Sequence, residues 1–140
     1  MLADKDVFRS EFAAAFEDPK TFTDDDLETY LRPLVRTETR LEDLRRFLAS
    51  LDEAEMEAIE PQLRKFEKPT AIIWGDDDVF FDARWSRWLA ETIPGTRKRV
   101  ALKGARLFFP WERPVEFNHV LREFWSDADQ AVDREPRPAK

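Results

Sequence analysis

The 140-residue chain reads as an α/β protein. A helical N-terminal segment covers residues 1–68, a β-α-β-α stretch of parallel sheet covers 69–126, and a polar tail covers 127–140. Three observations predict this. Residues 1–68 contain no glycine and space their apolar side chains by three and four, the period of a helix face. "PTAIIW" (69–74) is a short continuous apolar run stopped by Gly75, as expected of a parallel strand covered on both faces. After it, helical stripes and strand-like runs alternate.

Taken in order, "DVFRSEFAAAF" puts Val7, Phe8, Phe12, Ala15 and Phe16 near one face before "EDP" ends the helix. "TFTDDDLETYLRP" offers Thr23 as an N-cap, acids in the first turn and Pro33 as a stop. The triplet Asp24, Asp25 and Asp26 is most simply a helix start; a metal site there is the weaker alternative. Leu41, Leu44, Leu48 and Leu51, then Met56, Ile59, Leu63 and Phe66, mark an amphipathic helix interrupted near Asp52 and again near Pro61. After the first strand, "DARWSRWLAETIPG" sets Trp85, Trp88, Leu89 and Ile93 on a stripe ended by Pro94-Gly95. "RKRVALKG" is the second strand, and "RPVEFNHVLREFW" a last helix with Pro114 suited to its first turn. The polar remainder, "SDADQAVDREPRPAK", is expected to be disordered.

Composition narrows the function. A net charge of −7 without a concentrated basic patch argues against nucleic acid and anionic membrane as partners. With no cysteine, disulfides, Cys-based zinc sites and thiol nucleophiles all drop out. Three glycines, Gly75, Gly95 and Gly104, leave no Gly-rich loop for a phosphate, so no cofactor is expected; the adjacent Asp76, Asp77 and Asp78 point in different directions, so no metal is expected there either. No apolar run approaches the roughly 18 residues of a membrane span, and "MLADKDVF" does not read as a signal peptide, so a cytoplasmic location is expected.

"KPTAIIWGDDDVFF" followed by "LAETIPGTRKRVALKGARLFFPWERPVEFNHVLREFW" resembles the C-terminal part of the α/β-hydrolase family, in particular its haloalkane-dehalogenase-like and epoxide-hydrolase-like members. The resemblance covers residues 68–125 best. It implies that Asp78 occupies the triad-acid position and that residues 1–66 correspond to the mobile lid, giving a partial α/β-hydrolase fold. Two departures follow. Leu107, in "GARLFFPWERP", stands where the family has its catalytic His, and no G-x-S-x-G surrounds Ser10, Ser50, Ser86 or Ser126. The lone histidine, His119, falls opposite the stripe Phe117, Val120, Leu121, Phe124 and Trp125 and is expected to face solvent.

Each candidate has a plainer reading beside the functional one. Asp78 is either an inherited triad acid or a turn residue after glycine, and Asp76 and Asp77 are expected to be solvated. Trp74, Phe80, Phe81, Trp85, Phe108, Phe109 and Trp111 either line an apolar pocket or belong to a core or interface. The expected function is a hydrolase-family fragment, truncated or split, without catalysis of its own. The alternative is a subunit or binding module that completes its sheet with a chain carrying the missing half, or with a second copy, and holds an apolar small molecule. A residual hydrolase using another constellation is the third reading.

Overall fold

The computed structural model of the chain describes residues 5–134. The side chains of Val7, Phe8 and Met56, expected on apolar faces, lie outside the described residues. Helix α1 spans Lys5–Ala13, and a 3-10 turn at Pro19–Thr21 leads to a second helical rod. That rod comprises α2 (Asp24–Asp26), a π-helical turn (Leu27–Leu31) and α3 (Arg32–Val35). Thr23 caps it as expected. Its Oγ1 accepts from the Asp26 N–H at 3.2 Å, and its own N–H donates to Asp26 Oδ2 at 2.9 Å, a reciprocal capping box. The Thr23 hydroxyl, and then the Thr23 amide, hold the Asp26 carboxyl below its ordinary pKa. Arg9 pairs with Asp24. Helix capping and ion pairing thus account for two acids of the triplet.

Pro33 does not end the rod, which continues to Val35. In an α-helix its ring would clash with the carbonyl four residues back. The preceding π turn, closed by the Arg32 N–H on the Leu27 carbonyl, changes the hydrogen-bond pattern just before the ring. Thr37 then caps α4 (Glu38–Ala49), accepting from the Arg40 N–H at 3.3 Å. The expected break at Asp52 is present, with Oδ1 taking the Ala54 N–H at 2.8 Å as α5 (Glu53–Glu57) begins. Pro61 lies inside the first turn of α6 (Glu60–Leu63), where a missing N–H costs nothing, so the second break precedes it.

Strands β1 (Thr70–Gly75) and β2 (Thr96–Leu102) pair in parallel, from Thr70 opposite Thr96 to Gly75 opposite Leu102, with a register irregularity between Thr70 and Ala71. The crossover helix α7 (Arg84–Thr92) joins them. A short α8 (Phe109–Glu112) and a long α9 (Pro114–Arg134) follow. Helix plus parallel strand makes the chain a mixed α/β protein. The last helix runs past residue 126 into the segment expected to be disordered, because no glycine or proline interrupts it before Pro136.

The buried face of α7 also departs from expectation. Trp85 is 45% exposed while Ser86 is fully buried. Ser86 Oγ donates to the Ala83 carbonyl at 2.7 Å and accepts from Arg99 Nε of β2 at 3.0 Å. A small polar side chain at the helix–sheet contact admits the guanidinium; an indole would not fit there.

Gly95 reads in the sequence as a helix terminator, but the fold needs it for a close approach. A Cβ there would lie 2.0 Å from the Lys68 carbonyl oxygen, in a crossing fastened by Gly95 N–H to Phe66 O and Thr70 N–H to Gly95 O, both 3.0 Å. Gly95→Ala is therefore expected to cost about 1–3 kcal/mol by overpacking against backbone. Urea unfolding checks this; a change near zero would mean that the crossing can open freely.

Two buried clusters organise the core. Ala15, Phe16, Phe22, Leu27 and Leu31 form one, with Phe12, Leu107 and Phe108 against it. Leu102, Ala105 and Phe109 form the other, flanked by Ile73, Val100 and Phe117. The loop after β2 serves both, and so welds the N-terminal helices to the sheet. Phe108 N–H donates to Ala15 O at 3.0 Å, and Arg106 Nη1 to Ala14 O at 3.1 Å.

Candidate functional site

The loops leaving the two strands are tied together at their carboxyl ends. Asp76 N–H donates to Leu102 O at 3.1 Å, and Asp77 N–H to Ala105 O at 3.0 Å. Asp76 is not merely solvated: its Oδ1 accepts the Gly104 N–H at 2.5 Å and so clasps one loop to the other. Gly104 turns with φ of 72°, a left-handed conformation that suits glycine. Gly75 is required by proximity, since a Cβ would come within 2.4 Å of the Ala105 carbonyl oxygen.

Asp78 is partly buried, and its Oδ1 accepts two backbone N–H groups, from Phe80 at 2.8 Å and Phe81 at 3.0 Å. That is the bonding of an Asx turn, in which a carboxylate closes its own loop. Leu107, at the expected histidine position, is partly buried against the Phe16 cluster. His119 projects from α9 with its side chain 70% exposed, and its Nε2 lies 3.2 Å from Glu123 Oε1. Lys98, by hydrogen bond, and then His119, by charge, keep the Glu123 carboxyl below its ordinary pKa.

The seven aromatic candidates divide among separate surroundings. Trp74 Nε1 donates to the Phe81 carbonyl at 2.9 Å, holding the loop after β1, where the Phe80 and Phe81 side chains are exposed. Trp85 meets Trp88 edge-on, with the Arg84 guanidinium 5.1 Å from its ring centre. Phe108 packs on Phe12 and Phe16, Trp111 on Phe16 and Tyr30, and Phe109 on Phe117. Surface hollows of about 300 and 470 Å³ are lined by Glu38, Thr39, Glu42, Asp43 and Arg46, and by Lys98, Arg122, Glu123, Ser126 and Asp127, with none of the seven.

Glu112 and Arg113 are the structural residues that sequence reasoning passed over. Glu112 accepts from Glu17 N–H at 2.7 Å, Asp18 N–H at 3.0 Å and Thr21 Oγ1 at 3.2 Å. Arg113 reaches the Glu17 carboxylate and the Lys103 carbonyl, and the bond to Glu17 raises its pKa further. Their partners on residues 17–21 are more than 90 residues away in sequence, and no local pattern marks such a pairing.

Chemically, the strand ends offer a carboxylate held by two N–H groups of its own loop. That arrangement can order a turn; it contains no imidazole to move a proton. Among the described residues no group of three or more His, Cys, Asp or Glu could hold a metal ion, and no helix is long and apolar enough to cross a membrane. No family model, curated protein or solved structure matches the chain.

Proposed function

We propose that the chain is an α/β-hydrolase-like protein without catalysis of its own. The observation that carries this reading is the bonding of Asp78. Its Oδ1 serves the amides of Phe80 and Phe81, while Leu107, which the hydrolase resemblance aligns with the catalytic histidine, packs against the Phe16 cluster. The sequence also lacks the nucleophile elbow, and together nucleophile, base and oxyanion donors supply nearly all the rate of such enzymes. The expected result is that the purified chain hydrolyses p-nitrophenyl esters, epoxides and haloalkanes no faster than buffer does. Ester turnover that disappears in Asp78→Asn would overturn the reading.

A second reading, a subunit or binding module that completes its sheet with another strand and holds an apolar small molecule, is favoured by β1. Thr70 N–H and Asp76 N–H both point towards the β2 side, so the alternate residues Ala71, Ile73 and Gly75 direct their backbone groups to the other edge. Among the described residues the sheet has two strands, and nothing pairs with that edge. β1 carries apolar residues on both faces, whereas β2 carries Arg97, Lys98 and Arg99, charges that blunt an edge.

A further inference from the structure

One edge of β1 is bonded to β2, and the other faces no strand among the described residues. The open part of that edge is short. Ala71 and Ile73 aim their backbone groups outward and are only partly buried, whereas Gly75 is buried beneath the Ala105–Arg106 backbone. At the other end Pro69 has no N–H to offer. Ile72 therefore lies at the centre of the open stretch. Beyond both limits the chain leans towards β2. Phe66 O accepts from Gly95 N–H at 3.0 Å, Asp76 N–H donates to Leu102 O at 3.1 Å, and Asp77 N–H donates to Ala105 O at 3.0 Å. These bonds draw the charged flanks off the edge, and no charged residue lies between Pro69 and Gly75.

We propose that this edge pairs with the same edge of a second copy, antiparallel across a two-fold axis at Ile72. The inference rests on the sheet-completing reading and names its partner. The edge fits itself, as a two-fold interface requires. Reversal about Ile72 sets Ala71 of one copy opposite Ile73 of the other on both sides of the axis, a small side chain against a large one. Both residues aim outward, so each such pair exchanges two N–H···O=C bonds. Ile72 meets its own counterpart, a β-branched cross-strand pair of the kind that stabilises sheets. Closure is what selects a second copy. Pairing β1 with β1 gives the order β2-β1-β1-β2, which uses up the uncharged edge and leaves Arg97, Lys98 and Arg99 at both rims. Head-to-tail stacking would instead set β1 against those charges and leave another uncharged edge open. The closed sheet also has about four strands, a common size, where two alone are marginal.

Sedimentation equilibrium on the full chain, together with amide hydrogen exchange along β1 read by NMR, tests it. The expected result is a concentration-dependent dimer in which the Ala71 and Ile73 amides become protected as it forms. The Ile72 and Trp74 amides, which face β2, should be protected at every concentration. Ala71→Pro removes an outward N–H and leaves the ladder to β2 its bonds, so it should weaken the dimer tenfold or more in Kd without loss of circular dichroism. If that variant does lose its fold, the exchange of the unaltered chain decides. A monomer at 16.6 kDa with fast Ala71 and Ile73 amides would overturn self-pairing and leave the edge to a strand of another chain. A monomer with both amides protected would mean that the edge is covered from within, and the sheet-completing reading would fall as well. A dimer whose two amides stay fast, or which a folded Ala71→Pro does not weaken, would place the interface elsewhere and overturn the proposal.

Discussion

Phe16→Ala is expected to destabilise the fold by about 3–5 kcal/mol, a large fraction of the 5–15 kcal/mol that holds an ordinary domain together. Phe16 is fully buried, and it sits where the helical half meets the loop after β2. Its ring stacks with Phe22 at 5.8 Å, tilts against Phe108 at 5.0 Å and meets Trp111 edge-on at 5.5 Å. The rings of Phe22, Phe108 and Trp111 are rigid and collapse poorly into the space, so much of the void should persist even with Leu27 and Leu31 in the same cluster. Leu102 and Phe109 belong to the second cluster, so a local cavity should leave the strand pairing itself in place. Urea unfolding followed by both circular dichroism and tryptophan fluorescence measures the loss. A cost below about 1 kcal/mol would mean that the two halves are held together by the Glu112 and Arg113 bonds rather than by this cluster.

The two strands and the helices flanking them were legible because their signals are local. "AIIWG" has the length and apolarity of a covered strand, Thr23 precedes a run of acids, and Asp52 breaks a leucine stripe. The misplaced features depend on contacts distant in sequence. Trp85 scores as apolar on any stripe, yet α7 turns Ser86 inward because Arg99 needs a small acceptor there. Pro33 reads as a stop when the π turn before it is invisible. At the strand ends, the turn chemistry of Asp78 could be read from Gly-Asp alone, but the clasp from Asp76 to Gly104 could not, since it requires the parallel register. The leucine stripe of α4 is legible in the sequence, but a stripe does not name what covers it. Leu41 and Leu44 are partly buried, whereas Leu48 near the end of the helix is exposed.

The strand-end residues themselves can be ranked by substitution. Asp78→Asn should cost no more than about 1 kcal/mol, because an amide oxygen can still accept from Phe80 and Phe81 and close the same turn. Leu107→Ala should be the harmful change, at about 2 kcal/mol or somewhat more: the side chain packs on the Phe16 cluster but is only partly buried. Leu107→His should create no activity, since a base without a nucleophile has nothing to activate, and it would set a polar ring against Phe16 and Phe108. Thermal unfolding of the three variants orders them, and an ester assay accompanies Leu107→His. If Asp78→Asn proves far more damaging than Leu107→Ala, the carboxylate must bind a group besides the two amides, and its reading as a turn residue fails.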